Sequence, residues 1–109
     1  MSPSQTEFLR HILDECEFIL QGTINKTEEE IINDATLSRA LIRSLQIIGE
    51  ATKNIPTNLK KKYKDIEWKK IAGMRDVLIH EYFGIDANLV WKIIQNDIPD
   101  LKDKIEKMK

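Results

Sequence analysis

Apolar residues recur at helical spacing along most of the chain. Near the start, Phe8, Ile12, Cys16 and Ile19 form one row, with Leu9, Leu13 and Leu20 on the adjoining row. Gly22 offers a stop for this first helix. Thr27 with Glu30 reads as a capping box that opens a second, longer helix. Its stripe runs through Ile31, Ala35, Leu41, Leu45, Ile48 and Ala51, beside a second row of Leu37, Ala40, Ile47 and Ile55. An arc this broad can face a core and a partner at once. Asn33, Asp34 and Thr36 interrupt the pattern early, which predicts a short kink there. Pro56 ends the helix and begins a lysine-rich connector, residues 59–64, which reads either as a solvated turn or as a phosphate-facing patch. Residues 65–68 lead into a third helix reaching about Ile79. Gly84, Ile85 and Asp86 break the chain, with Asp86 a natural N-cap for a helix containing Leu89, Val90, Trp91, Ile93 and Ile94. Pro99 restarts a last amphipathic turn or two with Leu101, Ile105 and Met108. No stretch alternates like a strand, and nothing repeats. The expected fold is all-α, an up-and-down bundle of four to five helices.

Composition narrows the picture. At 109 residues the chain is expected to form one domain, residues 1–109. Only seven aromatics are present, so packing rests on Ile and Leu, and self-association is one way such a core is completed. The net charge of -1 means that any nucleic-acid binding must rest on a local patch. A lone cysteine, Cys16, makes no intramolecular disulfide and no metal site by itself, which fits a reducing compartment; it falls on an apolar row and reads as a small core residue. No segment has the apolar length of a membrane span, and the first residues lack the features of a secretory signal. The expectation is a cytoplasmic protein without membrane association.

One residue does not fit a simple core helix. On a helical wheel Trp68, Ile71, Ala72, Leu78, Ile79 and Tyr82 fall within an arc roughly 120° wide, and Arg75 lies near its middle. A guanidinium there must meet a charge partner or open onto a groove, because it cannot deprotonate and an unpaired buried charge is very costly. His80 stands about 140° round the helix from Arg75, so on a regular helix the two do not converge. Two geometries would bring them together. The helix ends near Ile79 and turns His80 inward, or two copies set their motif helices side by side across a two-fold axis. Chemically, metal-free RNA cleavage needs a base for the 2'-hydroxyl proton and a cation for the charge building on the phosphate, roles that suit His80 and Arg75. Tyr82 adds a hydroxyl. The plainer alternative is that His80 and Tyr82 cap and pack a helix end.

The string Trp68-x-x-Ile71-x-Gly73-Met74-Arg75-Asp76-x-Leu78-x-His80-x-Tyr82, followed by Val90-Trp91 and Ile98-Pro99-x-Leu101, resembles the HepT-like family within the HEPN class of helical RNases. Arg75, His80 and Tyr82 match that family's R-x4-H-x-Y motif. The upstream segment Arg43-Ser44-Leu45-Gln46-Ile47-Ile48-Gly49-Glu50-Ala51 resembles its second helix, and the likeness runs from about Phe8 to Ile105. The resemblance implies the toxin of a toxin–antitoxin pair whose partner is a minimal nucleotidyltransferase. It further implies a homodimer with the motif in a cleft between subunits, and a metal-independent endonuclease without cofactor acting on cellular RNA such as tRNA. Arg75 and His80 would be its catalytic pair, and Tyr82 the acceptor of inhibitory AMP units. The competing function is a non-catalytic subunit that grips a nucleotide phosphate for a nucleotidyltransferase. A phosphate grip needs no proton shuttle, so the intact Arg75 and His80 pair favours catalysis.

Four further residues complete the expected site. Glu50, beside the small Gly49, is a candidate partner for the Arg75 fork, or else a solvent-facing glutamate. Asp76 either orients Arg75 or serves structure. Lys69 and Lys70, with Lys60, Lys61, Lys62 and Lys64 before them, are candidate phosphate contacts. His11, remote in sequence, is expected to be a surface or packing residue.

Overall fold

The computed structural model describes the backbone of residues 5–80 and 87–108, and the side chains of residues 7–74 and 88–108. Every regular element among them is helical. The long helices are α1 (Gln5–Thr23), α3 (Ala35–Lys53) and α5 (Trp68–His80). The short helices α2 (Glu28–Ile32) and α4 (Thr57–Lys62) sit in the connections between them. A final rod comprises α6 (Ala87–Lys92), a π-turn (Ile93–Asp97) and α7 (Ile98–Glu106). The fold is an all-α bundle, as the hydrophobic periodicity predicts. None of its described helices is long and apolar enough to cross a membrane.

The predicted rows become the core. From α1 come Ile12, Cys16 and Ile19, and from α3 Leu41, Leu45 and Ile48, all fully buried. Trp68, Ile71 and Met74 of α5 join them, as do Ile94, Ile98, Leu101 and Ile105 of the last rod. Helix α3 lies at the centre, packing most extensively on α5 and then on α1, while α7 closes against α1. Buried hydroxyls are satisfied within this core. The Ser44 hydroxyl donates to Glu15 Oε1 at 2.6 Å, and Thr52 donates to the Ile48 carbonyl at 2.7 Å. No buried side-chain nitrogen or oxygen among the described residues lacks a partner.

Three local expectations need correction. The first helix passes through Gly22 and ends at Thr23; the following turn is made by Asn25 at φ 58°, a conformation that Asn tolerates better than most residues. A Cβ at Gly22 would stand in ordinary contact, 3.4 Å from Leu37 Cδ1 on α3. The predicted long second helix is two. The Thr27 and Glu30 capping box starts α2, but Asp34 leaves helical geometry (φ -100°, ψ 95°) and caps α3 by accepting from the Leu37 N–H at 2.9 Å. The expected kink is therefore a full break. Pro99, read as a restart, lies within a continuous rod, because Lys92, Asp97 and Ile98 all keep helical dihedrals. A proline ring clashes with the carbonyl four residues back, and the π-turn, in which the Ile98 N–H reaches back to the Ile93 carbonyl, relieves the ladder at that place. The Asp86 cap lies outside the described residues.

The lysine-rich connector is helical too, and its corner with α5 is tied down. The Trp68 indole Nε1–H donates to the Tyr63 carbonyl at 3.0 Å, and the Trp68 backbone N–H donates to the Ile66 carbonyl at 2.9 Å. From α7, the Lys104 ammonium donates to the Asp65 carbonyl at 2.8 Å. The entry into α5 is thus held from both sides.

Candidate functional site

The motif rides on α5. Its described buried residues, Trp68, Ile71 and Met74, mark the side facing the bundle. Position 75 follows Trp68 by seven residues, so its Cα falls in the register of that buried row. Position 80 falls instead in the register of Lys69 and Gly73, eleven and seven residues before it. Lys69 is exposed. Gly73 has no described atom within 4 Å of where a Cβ would sit. A glycine inside a helix costs roughly 0.5–1 kcal/mol relative to alanine, and no packing within the described chain requires one at this position. Gly73 is half-buried and lines a groove with Leu89, Ile93 and Asn96 of the last rod.

Helical geometry continues through His80. Of the two ways of joining Arg75 to His80, the one in which the helix ends near Ile79 and turns His80 inward rests on a side chain outside the described residues. On one helix the two positions remain about 140° apart. The side chains of Arg75, Asp76 and His80, and the whole of Tyr82, lie outside the described residues.

The supporting residues divide. Glu50 is exposed on α3, and its carbonyl accepts from the Asn54 side chain at 3.0 Å. Its neighbour Gly49 is buried in the helix that packs most closely on α5, as a small residue there would allow. Lys70 reaches Asp97 of the π-turn at 3.3 Å, with more than half of its side chain exposed. His11 is exposed on α1. Cys16 is fully buried, and burial pushes its thiol up to about 12, out of the reactive range. Among the described residues, no group of three or more His, Cys, Asp or Glu side chains is arranged to hold a metal ion.

The sequence reading missed what α4 does with its lysines. Thr57, Lys60 and Lys61 are spaced i, i+3 and i+4, and the helix brings them to one side; Lys64 follows after the helix has ended at Lys62. Together with Trp68, Lys69 and Lys70 they line a groove of about 650 Å³. The spacing was present in the sequence, but reading a connector after Pro56 hid it.

Comparison with known proteins agrees with the motif helix. Residues 12–108 match the family described as Ribonuclease HepT-like. A protein of Caldanaerobacter subterraneus subsp. tengcongensis, provisionally named an RNase, is 45% identical over 101 residues, covering 93% of this chain and 90% of that one. Thermococcus cleftensis has a chain named "Probable ribonuclease HepT" that is 42% identical over 109 residues, 100% of this chain and 99% of that one. A Methanocaldococcus jannaschii protein, named as a gamma-glutamylcyclotransferase joined to a provisional RNase, is 46% identical over 101 residues. This chain covers only 46% of that longer protein. No solved structure matches. With helix order, motif helix and the match over residues 12–108 in agreement, the chain belongs to the family of HepT-like ribonucleases.

Proposed function

We propose that this ribonuclease is the toxin of a toxin–antitoxin pair, a metal-independent endonuclease that cuts cellular RNA, with tRNA as the target. Arg75 and His80 form the catalytic pair. His80 handles the 2'-hydroxyl or leaving-group proton, and Arg75 offers its planar fork to the phosphate oxygens as negative charge builds on them. Lys69 and Lys70 contact the RNA backbone, while Glu50 and Asp76 steady the arginine. The observation that carries the reading is the unbroken helix through His80. It keeps positions 75 and 80 on different sides of one rod, so a working pair is best supplied by two copies whose motif helices share a cleft. A homodimer is therefore part of the proposal.

Regulation follows from the same chemistry. A minimal nucleotidyltransferase antitoxin places AMP units on Tyr82. Phosphates two residues from His80 on the chain then compete with RNA for the Arg75 guanidinium and add negative charge where an RNA backbone must approach.

The test is incubation of purified, unmodified protein with total tRNA in EDTA, beside Arg75→Ala and His80→Ala variants of unchanged helical content. Cleavage by the parent, lost by at least a hundredfold in both variants, is the expected result. Absence of cleavage by protein shown by mass to carry no AMP would favour a nucleotide-binding subunit instead.

A further inference from the structure

We infer that the groove between α4 and the start of α5 is a track for the phosphodiester backbone of an RNA strand, leading it along α5 to the motif. The inference rests on the ribonuclease reading for its ligand, but on separate residues for its evidence. Residues 57–70 carry six lysines against Asp65 and Glu67, a net +4, while the other 95 residues net -5. The positive charge of a slightly acidic protein is therefore gathered at one corner. Five of the six lysines, Lys60, Lys61, Lys64, Lys69 and Lys70, line the same groove of about 650 Å³. Lys62 faces elsewhere, its ammonium 5.5 Å from the centre of the Tyr63 ring.

Three features suit this groove to a polyanion of extended shape. Its two walls are fixed relative to each other by the Trp68 indole bond to Tyr63 and by the Lys104 bond to Asp65, so the charges are positioned before the ligand arrives. Among the described residues its only aromatic lining is Trp68, 7% exposed with its N–H already engaged, so the groove, lined by five lysines against Glu67, offers net positive charge without a stacking platform. Recognition by lysine alone reads phosphates and tolerates any base sequence. The direction is given by α5 itself. Lys69 and the bare Gly73 lie in the register of position 80, and eleven residues of helix span about 16 Å, a path of a few nucleotides. Strand that fills the groove arrives on the His80 side of the helix.

The measurement is binding of a fluorescent single-stranded RNA oligonucleotide, across a range of KCl in EDTA, to full-length His80→Ala protein, which leaves the probe intact. Single-stranded RNA gives a slope of about -0.7 in log affinity against log salt for each phosphate neutralised, so the four groove lysines other than Lys70, which Asp97 engages, predict a slope of about -2.8. Adding Lys60→Gln, Lys61→Gln and Lys64→Gln is expected to flatten it by about 2, because three contacts are lost. A control with Arg10→Gln, Lys26→Gln and Arg39→Gln, all exposed and outside the groove, is expected to keep the parent slope. Thermal melting confirms that both triple variants fold. Equal slopes for the two triple variants, or no RNA binding at low salt, would overturn the track. The ribonuclease reading fails separately, if the parent cuts no RNA. Loss of RNA binding confined to the groove variant would still support the track in that case.

Discussion

Cys16 shows how a residue's surroundings set its chemistry. It stands among Ile12 and Ile19 with no exposed surface, and burial in apolar surroundings raises its thiol from an ordinary 9.0 to about 12. The folded state therefore holds the proton more tightly than the unfolded state does. Stability from this residue is fully present below pH 9 and is lost as pH rises toward 12. We expect thermal melts between pH 8 and 11 to fall more steeply for the parent than for Cys16→Ala. Native protein at pH 8 should resist thiol reagents until it is denatured, and rapid labelling of the folded chain would contradict the burial. Gly22 and Gly73 are both helical glycines in different surroundings. A Cβ at the first would stand in ordinary contact with Leu37 Cδ1 at 3.4 Å; at the second it would meet no described atom within 4 Å.

Among the elements, the two caps near residue 30 do unequal work. The Thr27 backbone N–H, and then its hydroxyl, hold the Glu30 carboxyl below its ordinary value. That support for α2 is present above the ordinary glutamate range and is lost as pH falls through Glu30's lowered value. Helix α2 is five residues long, so its loss frays a corner. Asp34 instead starts the nineteen-residue α3, on which α1 and α5 both pack. Asp34→Ala is expected to lower global stability by about 1 kcal/mol in urea denaturation. Thr27→Ala should act mainly on hydrogen exchange within α2, leaving the global transition less affected. A larger global loss from Thr27→Ala than from Asp34→Ala would reverse this ranking. The capping box was legible because its partners are three residues apart. The break at Asp34 was legible only as a kink, since a cap and an interior turn use the same residue types.

For the whole molecule, the register of α5 sets the question of how many chains make one site. Two subunits sharing a cleft predict a solution mass twice the 12.7 kDa of one chain. They also predict complementation. Arg75→Ala and His80→Ala chains, each inactive alone, should recover about a quarter of parental RNA cleavage when refolded together, because half of the dimers are mixed and each of those restores one of two sites. A monomer by sedimentation, or no recovery on mixing, would place both residues of the pair within one chain. By the same register Lys69, at the edge of the lysine groove, and Gly73 both lie toward the side on which position 80 falls.

Helical class, core rows and the motif could be read before any coordinates, because each depends on contacts within a turn or on one side of a helix. Ile12, Cys16 and Ile19 share a face wherever the backbone is helical, and Arg75 interrupts an apolar arc in any packing. Gly22, residues 59–64 and Pro99 could not be read in this way. Whether a glycine ends a helix or lies within it, whether a proline restarts a helix or follows a π-turn, and whether lysines line a groove or a loop depend on neighbours distant in sequence. Lys60 and Lys61 carried their helical spacing all along. They line a groove with Lys64 and the start of α5 only because the chain turns at a corner that the Trp68 and Lys104 hydrogen bonds hold.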